Sequence, residues 1–253
     1  MIYNKLIKLK LNFIFILITS LFLISCGSIK KFSSLIKREQ APPQKDLELF
    51  KSLRKAEKYF NKGQYELAYE YYEEIKNKYP GTPQAILAQL RMADCKYWAG
   101  EYLEAISLYK EFEKFYPTNE AIPYVIFQIG TCYYKLKLPY DRDQTYTKKA
   151  IYTYERLLKN YPNSPYNIEA KKRIKELKEL LAKHELYVAK FYYKIKYYKS
   201  AYGRLLYLIE NYPNTYSAKY AKRLLPIYER KAKIETKELK EGKKKDFWGQ
   251  PVP

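Results

Sequence analysis

Histidine occurs once in the 253 residues and cysteine three times, and that scarcity closes several routes to chemistry. His184 and Glu185 begin like the H-E-x-x-H helix of zinc proteases, but Val188 stands where the second histidine must be, so no such metal site forms. Glycine is sparse too, eight in all, and none is arranged as a phosphate-binding loop or a nucleophile elbow. No apolar run reaches the length of about 20 residues that a helix needs to cross a bilayer core. The longest, from Leu11 to Leu23, is thirteen residues. Acidic residues are outnumbered by lysine and arginine, 27 to 48, which leaves a formal charge of +21. Nothing in these absences points to an enzyme, and no metal or diffusible cofactor is expected.

What is present begins with an address. Lys5, Lys8 and Lys10, the apolar run and a small-residue end make residues 1–25 a secretory signal peptide. Leu23-Ile24-Ser25-Cys26 resembles the lipobox of bacterial lipoproteins, whose cysteine thiol takes a diacylglycerol and becomes the new N-terminus. Gly27, rather than aspartate, follows it, which by the same resemblance favours the outer membrane. A covalent lipid on Cys26 is thus the one added group expected. One acyl chain holds only marginally, whereas two or three make attachment lasting. Residues 26–45, with Ser28, Ser33, Ser34, Pro42 and Pro43, read as the lipidated N-terminus and a flexible tether. Cleavage removes three lysines and leaves +18. The plain reading of that charge is a lysine-rich solvated face. The sharper one is attraction to anionic headgroups or acidic partners, which salt weakens. Nucleic acid is no candidate for an exported chain.

The folded part, residues 46–233, is built on a repeat. GQYELAYEYYEEIKNKYPGTP from Gly63 to Pro83 returns as GEYLEAISLYKEFEKFYPT from Gly100 to Thr118, and weaker echoes close at Tyr161-Pro162 and Tyr212-Pro213. In each case an alanine stands twelve residues before the proline: Ala68, Ala105, Ala150 and Ala201. Between Tyr65 and Tyr79 the positions Ala68, Tyr72, Ile75 and Tyr79 form one helical stripe, and the proline then blocks its continuation. Thr82 before Pro83 and Ser164 before Pro165 read as N-cap hydroxyls ahead of a proline in the first turn.

This spacing resembles the tetratricopeptide repeat and implies an all-α superhelix of about five helix pairs. The third unit carries eight extra residues, including Leu138 to Gln144, and the fourth has Lys196 where the first two have Gly63 and Gly100. A helical stretch from Pro165 to Lys183 precedes the fourth unit, and Ser217 to about Lys233 closes the stack. Past it, residues 234–253 lose their apolar face, gather lysines and read as a disordered basic tail, with Phe247 and Trp248 out of place. Cys95 and Cys132 share one repeat position; facing cysteines in an oxidising compartment can pair, but two small buried side chains are the favoured reading, because adjacent repeats usually sit farther apart than the limit of about 7 Å for a disulfide.

DRDQT at Asp141 to Thr145, YPNSPY at Tyr161 to Tyr166, AKHELYVAKFYYK at Ala182 to Lys194 and GRLLYLIENYPNT at Gly203 to Thr215 narrow the resemblance. They are similar to the BamD family, the lipoprotein subunit of the outer-membrane β-barrel assembly machine. That resemblance implies a lipid-anchored scaffold on the periplasmic face of the outer membrane. It would bind the BamA-like barrel subunit through a POTRA domain, engage unfolded β-barrel proteins by their C-terminal signal and work beside accessory lipoproteins. First helices line the concave face of such repeats, so a subset of Asp94, Tyr97, Trp98, Phe127, Thr131, Tyr134 and Lys135 is expected to form a groove for an extended peptide ending in an aromatic residue and a free carboxylate. The alternative for these residues is plain packing. Arg142, Glu185 and Arg204 are assigned to the partner face by resemblance, with two readings open for Arg204: a bidentate bond across an interface, or a pair with Glu185 or Glu210 inside the chain. A different periplasmic repeat lipoprotein, for pilus-secretin assembly or envelope constriction, is the competing function; it has no need of the DRDQT insertion.

Overall fold

The computed structural model describes residues 44–244, so the signal peptide, Cys26, nearly all of the tether and Phe247 with Trp248 lie outside the described residues. The chain divides at Glu48 into two units, and the repeat domain is the second, from Leu49 onward. Among the described residues nine helices follow one another and no strand appears: α1 (Gln44–Asn61), α2 (Tyr65–Lys78), α3 (Pro83–Trp98), α4 (Tyr102–Phe115), α5 (Ile122–Lys135), α6 (Thr145–Asn160), α7 (Asn167–Lys194), α8 (Tyr198–Asn211) and α9 (Tyr216–Lys240). Helices adjacent in sequence pack on one another, and α9 also reaches α7. The described residues make four helix pairs and a ninth helix, α9.

The stripe read from sequence is the core. Ala68, Ala105, Ala150 and Ala201 are all fully buried, as are Tyr72, Tyr109 and Tyr154 four residues further on. Each of these tyrosines spans its pair: Tyr72 donates to Glu57 at 2.8 Å, Tyr109 to Asp94 at 2.6 Å, and Tyr154 meets the Thr131 hydroxyl at 3.2 Å. A phenol buries a large ring while its hydroxyl satisfies a polar group that would otherwise be stranded in the seam. The fourth pair has Leu205 at this place and Lys190 opposite, so no polar rung forms there. Second helices stop at Tyr79, Tyr116, Tyr161 and Tyr212, whose φ of −128°, −128°, −133° and −130° already leaves the helical region ahead of the proline.

Helix starts hold one confirmation and one correction. Thr82 caps α3 by accepting from the Ala85 amide at 3.2 Å, with Pro83 in the first turn. Ser164 does not cap α7. That helix begins at Asn167, whose buried side-chain amide donates to the Tyr161 and Pro162 carbonyls at 2.8 Å each, holding an extra turn in which Ser164 accepts from the Tyr166 amide at 3.3 Å. From Asn167 the helix runs 28 residues without a break, fusing the stretch before Lys183 with the first helix of the fourth pair.

At the α7–α8 turn Lys196 does what glycine does elsewhere. Its φ is +63°, beside +74° at Gly63 and +84° at Gly100. A side chain in the left-handed region costs about 1 kcal/mol or more, so Lys196→Gly should raise stability by about 1 kcal/mol, read as a higher urea midpoint at unchanged m-value.

The basic tail begins later than residue 234. Helix α9 continues to Lys240 and the chain stays placed to Lys244. Glu235, buried on the inner side of α9, accepts the Lys199 amide in the first turn of α8 and pairs with Lys244. Lys244 donates to the Lys196 carbonyl at 3.2 Å and sits 4.6 Å from the centre of the Tyr197 ring. A carboxylate at a helix N-terminus and its counter-ion hold this segment down, and neither registers as apolar periodicity.

Candidate functional site

The predicted groove residues separate into three groups. Asp94 and Thr131 point into the seam between their own helix and the next and are each 2 % exposed. Asp94 accepts from Tyr109 at 2.6 Å, from Tyr124 of α5 at 2.7 Å and from Arg91 at 3.2 Å. Arg91, half-buried, reaches on to the half-buried Glu57 with two contacts of 3.1 Å, so this line ties α1, α3, α4 and α5 together. Burial holds the Asp94 carboxyl above its ordinary pKa even though three donors pull the other way. These side chains are spent on the fold and are not available as groove wall.

Trp98, 55 % exposed at the end of α3, belongs to a second group. It stacks on Tyr65 of α2 at 6.5 Å and stands edge-on to Tyr97 at 5.4 Å. Tyr97 in turn contacts Tyr102 at 5.8 Å, and burial pushes its phenol above the usual range.

The third group is one that sequence reasoning only half assembled. Arg173 of α7 lies 5.1 Å from the ring centres of both Phe127 and Tyr134, and donates to the Thr131 and Tyr154 hydroxyls at 2.8 and 2.9 Å. Its Nε donates to Glu169 at 2.8 Å. Phe127 stacks on Tyr166 at 5.1 Å, Tyr134 donates to Glu176 at 2.8 Å, and Lys137 Nζ lies 3.7 Å from the Tyr134 ring centre. Burial pushes the Lys137 ammonium below its usual range. Lys135 is exposed on the same helix. The result is an aromatic wall from α5 with a guanidinium and an ammonium set against it. Arg173 was legible only as a lone arginine among lysines in KKRIKELK, at a place where a planar group that stacks differs from an ammonium.

On the partner side, Arg204 of α8 donates through Nη1 to Glu185 Oε2 at 3.0 Å, so the pair within the chain is formed. Glu185 is buried while the Arg204 side chain is 45 % exposed, at a hollow of about 390 Å³ lined also by Tyr192, Ser200, Gly203 and Tyr207. Glu210 is not its partner. Arg142 is far from free loop: its carbonyl and that of Pro139 accept from the buried Gln144 amide at 3.0 and 2.7 Å, and Thr147 donates to the same Gln144 at 2.9 Å. The insertion then docks on α7, where His184 Nδ1 lies 2.6 Å from the Tyr140 carbonyl and Tyr140 packs edge-on to Tyr187 at 5.8 Å. His184 therefore packs and holds a loop.

Cys95 and Cys132 are unpaired and buried, their thiols pushed up to about 12 by burial, which leaves them inert as nucleophiles. Among the described residues no cluster of His, Cys, Asp or Glu suits a metal, and no helix is long and apolar enough to cross a membrane.

Stacked helix pairs, with polar rungs inside and an aromatic, cationic wall outside, define a tetratricopeptide-type scaffold. Residues 44–245 match the YfiO family model, described as outer membrane lipoprotein, and the chain belongs to that family. The outer membrane protein assembly factor BamD of Pasteurella multocida is 28 % identical over 218 residues, covering 82 % of this chain and 79 % of that one. Its counterpart in Xylella fastidiosa strain 9a5c is 29 % identical over 171 residues, covering 64 % of this chain and 59 % of its own. Among solved structures, the TPR2AB domain of yeast Sti1 in its pHSP90 complex aligns over 77 % of this chain and 79 % of its own, with 19 % identity and a TM-score of 0.47.

Proposed function

We propose that this chain is the lipoprotein scaffold of a β-barrel assembly machine, held by acylated Cys26 on the periplasmic face of the outer membrane. Through the second half of its repeats it binds a BamA-like barrel subunit by a POTRA domain, and through the α5–α7 face it receives unfolded outer-membrane proteins. The assembly-factor relatives support the general role. The observation that carries the finer reading is the placement of Arg173 and Lys137 against the Phe127 and Tyr134 rings. Apolar walls accept an aromatic side chain, and two adjacent cations favour the carboxylate that ends a chain.

A peptide ending in phenylalanine with a free carboxylate should bind the mature chain about tenfold more tightly than its amidated form, by calorimetry in low salt. Trp98→Ala together with Phe127→Ala should weaken it further, with a melting curve recorded alongside; unchanged binding by a folded double variant rules the groove out. For the partner face, Glu185 serves to hold Arg204 pointing outward. Affinity isolation from solubilised outer membranes should recover a POTRA-barrel protein with the wild-type chain and lose it with Arg204→Glu at high salt. Retention would leave Arg204 a pair within the fold and nothing more.

A further inference from the structure

Helix α9 stands where the first helix of a pair stands in the earlier repeats, and among the described residues no second helix packs on it. Counting from the repeat proline aligns it with its predecessors: the residues ten, fourteen and seventeen past Pro80 are Leu90, Asp94 and Tyr97, those past Pro117 are Phe127, Thr131 and Tyr134, and those past Pro213 are Arg223, Ile227 and Arg230. In α3 and α5 the middle position is covered by the following helix, where Tyr109 and Tyr154 meet Asp94 and Thr131. On α9 the same face is open. Tyr216 is 79 % exposed, Tyr220 44 %, Ile227 46 % and Ile234 46 %, and with Arg223 and Arg230 they follow one another at steps of three and four along a single ridge. Terminal helices of repeat stacks are ordinarily polar on the outside. The first part of α7 obeys that rule, with Lys172 and Glu176 exposed and Glu179 half-buried at the corresponding places past Pro162. α9 breaks it.

We infer that an acidic amphipathic helix of a partner protein lies on this ridge, in the place of the second helix of a fifth pair. A ridge repeating every three and four residues is the contact line of one helix on another. The sign of the partner follows from charge. α9 carries eight lysines and arginines against Glu229, Glu235 and Glu238; Glu235 is turned inward and Glu229 pairs with Lys233 at 2.8 Å. A second copy of this chain would set Arg223 and Arg230 against like charges and is disfavoured. This surface lies outside the α5–α7 groove and does not depend on it.

The probe is a synthetic three-heptad helix with leucine at the a and d positions and glutamate at e and g, titrated into the mature chain beside an analogue with lysine for glutamate. The acidic helix should bind at least about tenfold more tightly than the basic one. Arg223→Glu with Arg230→Glu should invert that preference, and Ile227→Ser with Ile234→Ser should abolish binding of both. Because all four side chains are exposed, melting curves should stay in place, which separates loss of binding from loss of fold. In cells, a photo-crosslinking residue at position 227 should join an acidic helical peptide of another protein. Equal binding of the two probes, indifference to the substitutions, preferential binding to phosphatidylglycerol vesicles, or crosslinks only to phospholipid or to residues 245–253 of the same chain would each overturn the proposal.

Discussion

Gly130→Ala is expected to destabilise the fold by about 3 kcal/mol, at the upper end of the usual cost of overpacking. A Cβ at Gly130 would lie 2.6 Å from Tyr154 Cε1 and 2.8 Å from Cδ1. A flexible side chain would swing away. Tyr154 does not have that freedom: it is fully buried, its ring contacts Phe127 at 5.8 Å, and its hydroxyl is held by Thr131 and by Arg173. Movement of the ring would therefore also undo the contacts that seat Arg173, and both stability and the aromatic wall would suffer. For a chain of this size the thermal midpoint should fall by about 6–12 °C. If the midpoint moves by a degree or less, α5 and α6 are not in the close contact described.

Asp94→Ala should cost about as much, for a different reason. The substitution leaves two phenolic hydroxyls, Tyr109 and Tyr124, without their acceptor in a seam that water does not reach, each worth about 1–3 kcal/mol. Arg91 keeps Glu57 and so is not stranded. A loss of about 3 kcal/mol in a denaturant titration at neutral pH is the expected outcome. The pH dependence has a definite sign. Burial raises the folded-state pKa of Asp94 above its ordinary 3.8, so the folded chain holds this proton more tightly than the unfolded one. Its contribution is full below that ordinary value and is lost as pH rises through the raised one. Asp94→Asn cannot titrate, so the stability gap between it and the wild type should be wider at pH 3 than at pH 7.

Much of the scaffold was legible from letters alone. The alanine-to-proline spacing located all four second helices, because a small residue at a helix crossing and a proline after the last turn are local demands that no distant contact can waive. The same logic found the cap at Thr82. It misjudged Ser164 and the start of the tail because both depend on groups far along the chain or hidden from hydropathy: the Asn167 amide bridging two carbonyls, and Glu235 bound to Lys199 and Lys244.

The candidate site divides along the same line. Periodicity could say that Asp94, Phe127, Thr131 and Tyr134 sit on first helices, but not which of them turns into the seam, since a helical face is apolar or polar only on average. Asp94 and Thr131 went inward because a tyrosine hydroxyl from the second helix was waiting for them. Sequence by itself determined the repeat, its register and its punctuation, all set by contacts within about twenty residues. Tertiary structure alone decided that Arg173 would lie against rings from α5, that Glu185 would hold Arg204, and that the outer ridge of α9 would stay open, because each rests on surfaces that come together only once the helices are stacked.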